Sequence, residues 1–120
     1  MQEAIKGGQI DVLTTLHQPS SPLNKEVAFY DAAYGCEGLR DALSLYYTKL
    51  VKSNLISMPK LIEMCVKNPS AALGQNLGEI KVGERVNAML FNPNKKVITG
   101  EKLSLYSKEE LYGKIEKIFN

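Results

Sequence analysis

Hydrophobic positions follow two different periods along the chain, and the change comes near residue 77. Up to that point, apolar residues mostly recur at steps of three and four, the period of a helix packed on one face. Beyond it, short apolar runs alternate with turn residues, which is the pattern of strands. The sequence therefore predicts an α/β chain with a mainly helical part at residues 1–77 and a small β unit at residues 78–120.

The first part begins with helix-like residues that Gly7 and Gly8 bring to an end, since glycine readily adopts the left-handed conformation that closes helices. The run Ile10 to Leu16 is rich in β-branched and apolar residues with little alternation. That composition is typical of a strand buried on both faces of a parallel sheet. Residues 18–35 contain two prolines and no sustained period, which predicts a long loop of the kind that carries function.

Two amphipathic helices are predicted after this loop. The apolar residues of the first recur at helical spacing and are Leu39, Ala42, Leu43, Tyr46, Tyr47, Leu50 and Val51. Ser57 is placed to cap the second helix, with Pro59 in its first turn. We expect Asn68-Pro69 to interrupt that helix, because a residue before proline avoids helical angles, and Gly74 to close one further turn.

The second part contains three strand candidates separated by turn signals. The candidates are residues 79–81, 86–91 and 96–99, and the turn signals lie at residues 81–84 and 92–94. The tail is ambiguous by local pattern. Ser107 and Glu110 fit a helix capping box, yet Gly113 would cost such a helix about 1 kcal/mol. Local pattern alone therefore favours a helix there only slightly.

Charge and composition narrow the classes of partner. Lysine and arginine total 15 against 13 aspartate and glutamate residues, so no single-sign field favours nucleic acid or an anionic membrane. No apolar run approaches a signal-peptide core or the roughly 18 residues of a membrane helix. Cys36 and Cys65 form no C-x-x-C pair, so two reduced thiols are the simplest interpretation. We expect a cytoplasmic protein that binds neither nucleic acid nor membrane.

Three stretches carry motifs: "IDVLTTLHQPSSP", "AAYGCEGLRDAL", and "NPSAALG" followed by "GEIKVGERVNAMLFNP". In this order they resemble the C-terminal third of dihydroorotases, in the amidohydrolase superfamily. The opening stretch is similar to the last barrel strand with its Asp-His-Ala-Pro-His signature. The middle stretch resembles a Phe-Gly-x-x-Gly-Leu-Glu-x-Ala-Leu loop and helix, and the final one an Asn-Pro-Ala-x-x-Leu-Gly helix and the strands after it. The series covers nearly the whole chain.

The resemblance implies a (β/α)8 barrel with a small β-sandwich. This chain would supply the last barrel strand and helices within residues 1–77, and the C-terminal strands of the sandwich within residues 78–120. It also implies a strand over Lys114 to Phe119, against the slight local preference for helix. A complete barrel takes about 250 residues. We therefore expect the chain to pair with the remainder of its barrel or with another copy of itself, or to cover its edges with rearranged elements.

The chemistry implied by the resemblance is the opening and closing of a cyclic amide by a zinc-activated hydroxide, with an aspartate at the end of strand eight moving the proton. Leu16 stands where the family has that aspartate, and an aliphatic side chain neither takes a proton nor binds metal. Ser20 aligns with the second signature histidine, which helps to hold the substrate carboxylate. Of the five signature residues only His17 and Pro19 remain. No catalytic residue is therefore expected in this chain.

Three residues stay as substrate-side candidates: His17, Ser20 and Gly35. For His17, the single histidine, a packed or solvent-bonded role is favoured over catalysis. For Ser20, a polar loop residue is favoured over a nucleophile, since no G-x-S-x-G motif is present. Gly35 lies where the family's backbone approaches the substrate ring, but a turn before a helix explains it equally well. No metal site is expected, because His17, Cys36 and Cys65 have unrelated spacings.

The sequence thus predicts part of a dihydroorotase-like amidohydrolase of pyrimidine biosynthesis that lacks catalytic activity and serves as a structural partner. Aspartate carbamoyltransferase is the partner that the resemblance implies. The alternative is part of a metal-dependent cyclic amide hydrolase whose ligands lie mostly upstream, so that zinc would be bound by the full-length protein and no cofactor by this chain. An independent interaction module is disfavoured, because a lone strand eight would leave unpaired edges.

Overall fold

The computed structural model describes residues 1–75, 77–99, 106 and 108–120. Short helices come first along the chain and an antiparallel pair of strands comes last, so the predicted mixture of helix and strand is confirmed. The helices are α1 (Gln2–Lys6), a 3₁₀ turn (Pro22–Asn24), α2 (Ala42–Tyr46), α3 (Met58–Ile62) and α4 (Asn68–Ala72); the strands are β1 (Ala88–Ile98) and β2 (Glu110–Phe119). The barrel, the sandwich and the domain limits stay predictions.

Helix α2 begins at Ala42 instead of Leu39, because residues 39–41 form a turn, and it continues as a π-helical segment over Tyr47–Val51. The predicted start of α3 is confirmed. Ser57 Oγ accepts a hydrogen bond from the Lys60 amide at 3.3 Å, which satisfies one of the unpaired N–H groups of the first turn.

The predicted interruption at Asn68-Pro69 is wrong. Asn68 has helical angles, with φ −65° and ψ −46°, and its N–H donates to the Glu63 carbonyl five residues back. This π-helical turn over Glu63–Lys67 displaces the carbonyls on which the Pro69 ring would press in a regular α-helix. The helical path therefore runs unbroken from α3 into α4, and Gly74 ends it with a positive φ of 68°, as predicted.

The predicted strand over Ile10 to Leu16 is wrong, because these residues pair with no described strand. A strand needs a neighbour to accept and donate its backbone hydrogen bonds. Two hydrogen bonds to the continuous helical path from α3 to α4 replace those of a neighbouring strand. The Leu13 amide donates to the Met64 carbonyl at 3.0 Å, and Asn68 Nδ2 donates to the Asp11 carbonyl at 2.7 Å. The run is thus a tethered segment on the helices.

The β unit differs from the prediction in its first half. Residues 79–81 form no strand, and the two later candidates merge into β1, with no chain reversal at residues 92–94. The register shifts between Asn92 and Lys96, where the Asn94 amide donates to Asn92 Oδ1 at 3.1 Å. Pro93 has no N–H for a ladder, so the turn residues form a bulge inside one strand.

The tail is a strand. Strand β2 includes the residues 114–119 that the resemblance favoured, so the local preference for a helix is wrong, although Ser107 itself lies outside the described residues. Gly113 has φ +93°, and an added Cβ would overlap the ring of Phe91. The residue that weakened the helix prediction is therefore required by the close approach of an aromatic ring.

Helix α2 and its π-helical extension pack against β2 through hydroxyl groups. Ser44 Oγ donates to the Gly113 carbonyl at 2.5 Å, and Thr48 Oγ1 both donates to the Tyr112 carbonyl at 3.2 Å and accepts from the Tyr112 amide at 2.7 Å. These side chains lie four residues apart on one helix face. They satisfy strand groups that would otherwise need another strand, which joins the helical part to the β unit.

The chain leaves much apolar surface uncovered. Its accessible area is 9071 Å², whereas a compact protein of this mass exposes about 6,400 Å². The radius of gyration is 16.4 Å, against about 13.6 Å for a compact domain of this length. Buried hydrophobic residues within the described ranges are Ile5, Leu61, Met64 and Leu111. No helix in those ranges is both long and apolar enough to cross a membrane.

We expect Thr48→Val to destabilise the chain by about 1–3 kcal/mol, because the part-buried Tyr112 amide and carbonyl lose their partner while the side-chain shape is kept. Urea unfolding measures the change. Ser53→Ala is the matched control, since that exposed hydroxyl bonds only carbonyls of its own helix and its loss should cost within about 0.5 kcal/mol. Equal stabilities for the two variants would contradict the role of Thr48.

Candidate functional site

The site predicted from the sequence lies where the tethered segment ends, at Leu16. Leu16 has a positive φ of 43°, a conformation that leucine adopts at a cost and that asparagine, aspartate and glycine tolerate. Two threonine hydroxyls support this bend: Thr14 Oγ1 accepts from the Leu16 amide at 3.5 Å, and Thr15 Oγ1 from the His17 amide at 3.3 Å. The Leu16 side chain is 79% exposed, so packing does not hold it there.

His17 binds the backbone that precedes α2. Its Nδ1 accepts hydrogen bonds from the amides of Gly38, at 3.1 Å, and Leu39, at 3.2 Å. These donors lie 21 and 22 residues further along the chain, so the imidazole ties the two ends of the long loop together. We call this pair of hydrogen bonds the His17 clasp. Sequence reasoning predicted a solvent-bonded or packed histidine, and the structure gives it a specific backbone partner.

The predicted loop closes on itself between residues 18 and 36. The Gln18 amide donates to the Cys36 carbonyl at 3.1 Å. Gly35 has φ +86°, and an added Cβ would lie 2.6 Å from both the Cβ and the carbonyl oxygen of Gln18. The absence of a side chain at Gly35 is thus explained by this contact and by the positive φ, whereas the turn before α2 covers residues 39–41 and does not include Gly35.

Lys25 holds the interior of the loop, a role that sequence reasoning missed. Its Nζ donates to the Ala33 carbonyl at 2.7 Å and also to the Gly35 carbonyl. The Ala33 amide in turn donates to the Asn24 carbonyl at 2.9 Å. A single lysine in a proline-rich loop gave no sequence signal for this contact, because its partners are backbone carbonyls.

Ser20 lies in the same loop and is half-buried. Among the described contacts, no hydrogen bond joins Ser20 to His17 or to a carboxylate. A serine nucleophile needs a base within hydrogen-bond reach. The described geometry therefore supplies no activated serine at this position.

A cavity of about 190 Å³ lies beside the clasp, a further feature that sequence reasoning missed. Its lining includes Thr15, Cys36, Glu37, Asp41 and Tyr46. Burial raises the pKa of the Tyr46 phenol, and charge interactions with Cys65 and Tyr106 raise it further. Burial also raises the pKa of the Cys65 thiol. Both groups are therefore protonated at neutral pH and are poor nucleophiles.

The described residues do not fit zinc. Within residues 1–75, 77–99, 106 and 108–120, no three histidine, cysteine, aspartate or glutamate side chains come together. A zinc-bound histidine carries a proton on its free ring nitrogen and donates it to a partner. His17 does the opposite, because Nδ1 accepts from two amides. We derive no chemical step through a metal from these residues.

Curated relatives match the chain over most of its length. A "Probable dihydroorotase-like protein" from Helicobacter pylori is 33% identical over 98% of this chain, and the "Dihydroorotase" of Elusimicrobium minutum is 38% identical over 92%. The "Dihydroorotase" of Aquifex aeolicus is 36% identical over 96% of the chain. The chain corresponds to the C-terminal part of dihydroorotases and dihydroorotase-like proteins. No protein-family model matches it.

The matched region is a small share of each relative. The chain spans 31% of the Helicobacter protein, 24% of the Elusimicrobium protein and 27% of the Aquifex protein. The similarity to dihydroorotases agrees with the motif series at residues 10–22, 32–43 and 68–93. The resemblance seen in the sequence is therefore confirmed at the level of the family.

We expect Leu16→Asn to stabilise this dihydroorotase-like chain by about 1 kcal/mol, because asparagine adopts the left-handed conformation at lower cost. Urea unfolding measures the change. Leu23→Asn is the matched control: Leu23 is 80% exposed, as Leu16 is, but its φ is not positive. Similar effects of the two substitutions would show that the gain at position 16 does not come from relieved backbone strain.

Proposed function

We propose that this chain is the C-terminal part of a dihydroorotase-like protein of pyrimidine biosynthesis that lacks catalytic activity and serves as a structural partner. The observation that carries the proposal is Leu16. It stands where the resemblance implies the proton-transferring aspartate, and general acid–base catalysis requires an ionisable group within hydrogen-bond reach. The bend at Leu16 is supported by Thr14 and Thr15, so the loss concerns the side chain and not the local backbone.

The other signature positions support the same conclusion. Ser20 replaces a histidine that the resemblance assigns to the substrate carboxylate, and a neutral hydroxyl binds a carboxylate less strongly than a charged donor. His17 is retained, but its Nδ1 is occupied by the Gly38 and Leu39 amides. His17, which remains from the signature, thus has a structural role.

A structural role also agrees with the uncovered apolar surface. The long loop exposes Phe29, Tyr30 and Tyr34, and the β unit exposes Met89 and Ile118. Exposed contiguous apolar surface marks sites of association, and aromatic residues are enriched there. We propose that the remainder of the barrel, or another copy of this chain, covers these surfaces. Aspartate carbamoyltransferase remains the proposed partner of the assembled protein.

A second candidate function is a metal-dependent cyclic amide hydrolase whose ligands lie mostly upstream of this chain. The names of the Elusimicrobium and Aquifex relatives, both "Dihydroorotase", favour it. In that case the upstream residues would bind zinc, which would activate the attacking hydroxide. The residues described here would then hold the loop and the backbone of the site.

Dihydroorotate hydrolysis by the full-length protein, with zinc supplied, separates the two candidates. We expect turnover far below about 1 per second, because Leu16 supplies no proton acceptor. If position 16 alone limits the reaction, the turnover of Leu16→Asp should be about 100-fold or more above that of its isosteric control Leu16→Asn. Wild-type turnover at ordinary enzyme levels would contradict the proposed loss of catalysis and support the second candidate.

In isolation, the 120-residue chain should self-associate or bind a hydrophobic dye, because its accessible area exceeds that of a compact domain by roughly 40%. Sedimentation velocity over a range of concentrations measures the association, and dye fluorescence measures the exposed apolar surface. Addition of the remaining part of the barrel should suppress both signals. A rigid monomer without dye binding would contradict the proposed need for a partner.

A further inference from the structure

The ring nitrogens of His17 have unequal surroundings. Nδ1 accepts from the amides of Gly38 and Leu39, at 3.1 and 3.2 Å. No other hydrogen bond of the His17 ring occurs among the described contacts, and the residue is exposed to solvent. A neutral imidazole has one donor nitrogen and one acceptor nitrogen. Because Nδ1 receives two N–H groups, the ring proton must lie on Nε2.

The two amides lie just before α2, Gly38 ahead of the turn at residues 39–41 and Leu39 at its start. Because both lie outside the helix, these N–H groups have no intrahelical acceptor and need one from a side chain, another segment or water. Asp41, which lies just before α2, makes no side-chain capping bond to it. The acceptor comes instead from a ring 21 residues upstream. Loss of that ring would therefore free both the backbone just before α2 and the start of the long loop.

We propose that His17 is a positioning residue, whose neutral Nε2–H imidazole holds the Leu16 bend against the Gly38–Leu39 backbone and is unavailable as a metal ligand. This role does not depend on whether the full-length protein hydrolyses any substrate. The Gln18–Cys36 hydrogen bond and the Gln18–Gly35 contact lie next to the clasp. Both depend on the same alignment of the two ends of the loop. The clasp is thus the first of three contacts that set how the loop closes.

Histidine-selective ¹⁵N labelling of the intact protein tests the ring state, with the His17 signals assigned by their loss in His17→Asn. The expected spectrum has an unprotonated Nδ1 and a protonated Nε2, and the shifts stay unchanged when zinc chloride is added. A protonated Nδ1, or a shift on addition of zinc that shows coordination by His17, would overturn the proposal.

Two variants test the position of the acceptor. Asparagine places its Oδ1 near the place of Nδ1, whereas glutamine places its side-chain amide near the place of Nε2. We expect amide exchange of Gly38 and Leu39 in the intact protein to stay near the wild-type rate in His17→Asn and to become about tenfold faster in His17→Gln. Equal exchange in the two variants would overturn the proposal. If both variants unfold, the wild-type ¹⁵N spectrum alone decides.

Discussion

The two hydrogen bonds from the Gly38 and Leu39 amides to His17 Nδ1 are the constraint on which the rest of the site depends. The segment before His17 has no strand beside it among the described residues, so a sheet ladder does not position it. Side chains and single backbone contacts do so instead: Asn68 holds the Asp11 carbonyl, and Met64 accepts from the Leu13 amide. At the end of this segment, the clasp fixes where the loop begins.

In this region, the contacts that hold the backbone differ from the side chains to which the resemblance assigns chemistry. The bend at Leu16, the ring of His17 and the bare backbone of Gly35 keep a defined geometry. The groups that would move a proton or hold an anion, in the positions that the resemblance assigns to them, are an aliphatic side chain and a hydroxyl. Relatives that carry the name dihydroorotase match the same part of the chain. These observations support the proposed function, in which the region keeps a structural role without the reaction.

The sequence correctly predicted the elements that depend only on residues close together in the chain. The Ser57 cap, the helical face around Tyr46 and the closing turn at Gly74 depend on residues within one or two turns, and each is present. The interruption at Asn68-Pro69 failed because a π-helical turn accommodates proline at no cost to continuity. The strand over residues 10–16 failed because a strand depends on a neighbour, which a residue pattern cannot supply.

The sequence predicted which positions form the candidate site but not the contacts that hold them. Motif order pointed to Leu16, His17, Ser20 and Gly35, but the partners that hold this region are distant in sequence or are backbone groups. No motif indicated the role of Lys25 or the cavity beside Cys36. Every residue has a carbonyl oxygen, and a cavity depends on packing, so neither can be recognised from the residue pattern. Strand β2 at the C-terminal end was also hidden from local pattern. It depends on the contact between Gly113 and Phe91, which only the fold brings together.

The most direct test of the His17 clasp is a scalar coupling measured across the hydrogen bonds by NMR. In the intact protein labelled with ¹⁵N, a coupling should join His17 Nδ1 to the amide nitrogen of Gly38, of Leu39 or of both. That result would show that the histidine serves as a backbone acceptor. A spectrum in which Nδ1 carries a proton and couples to neither amide would contradict it.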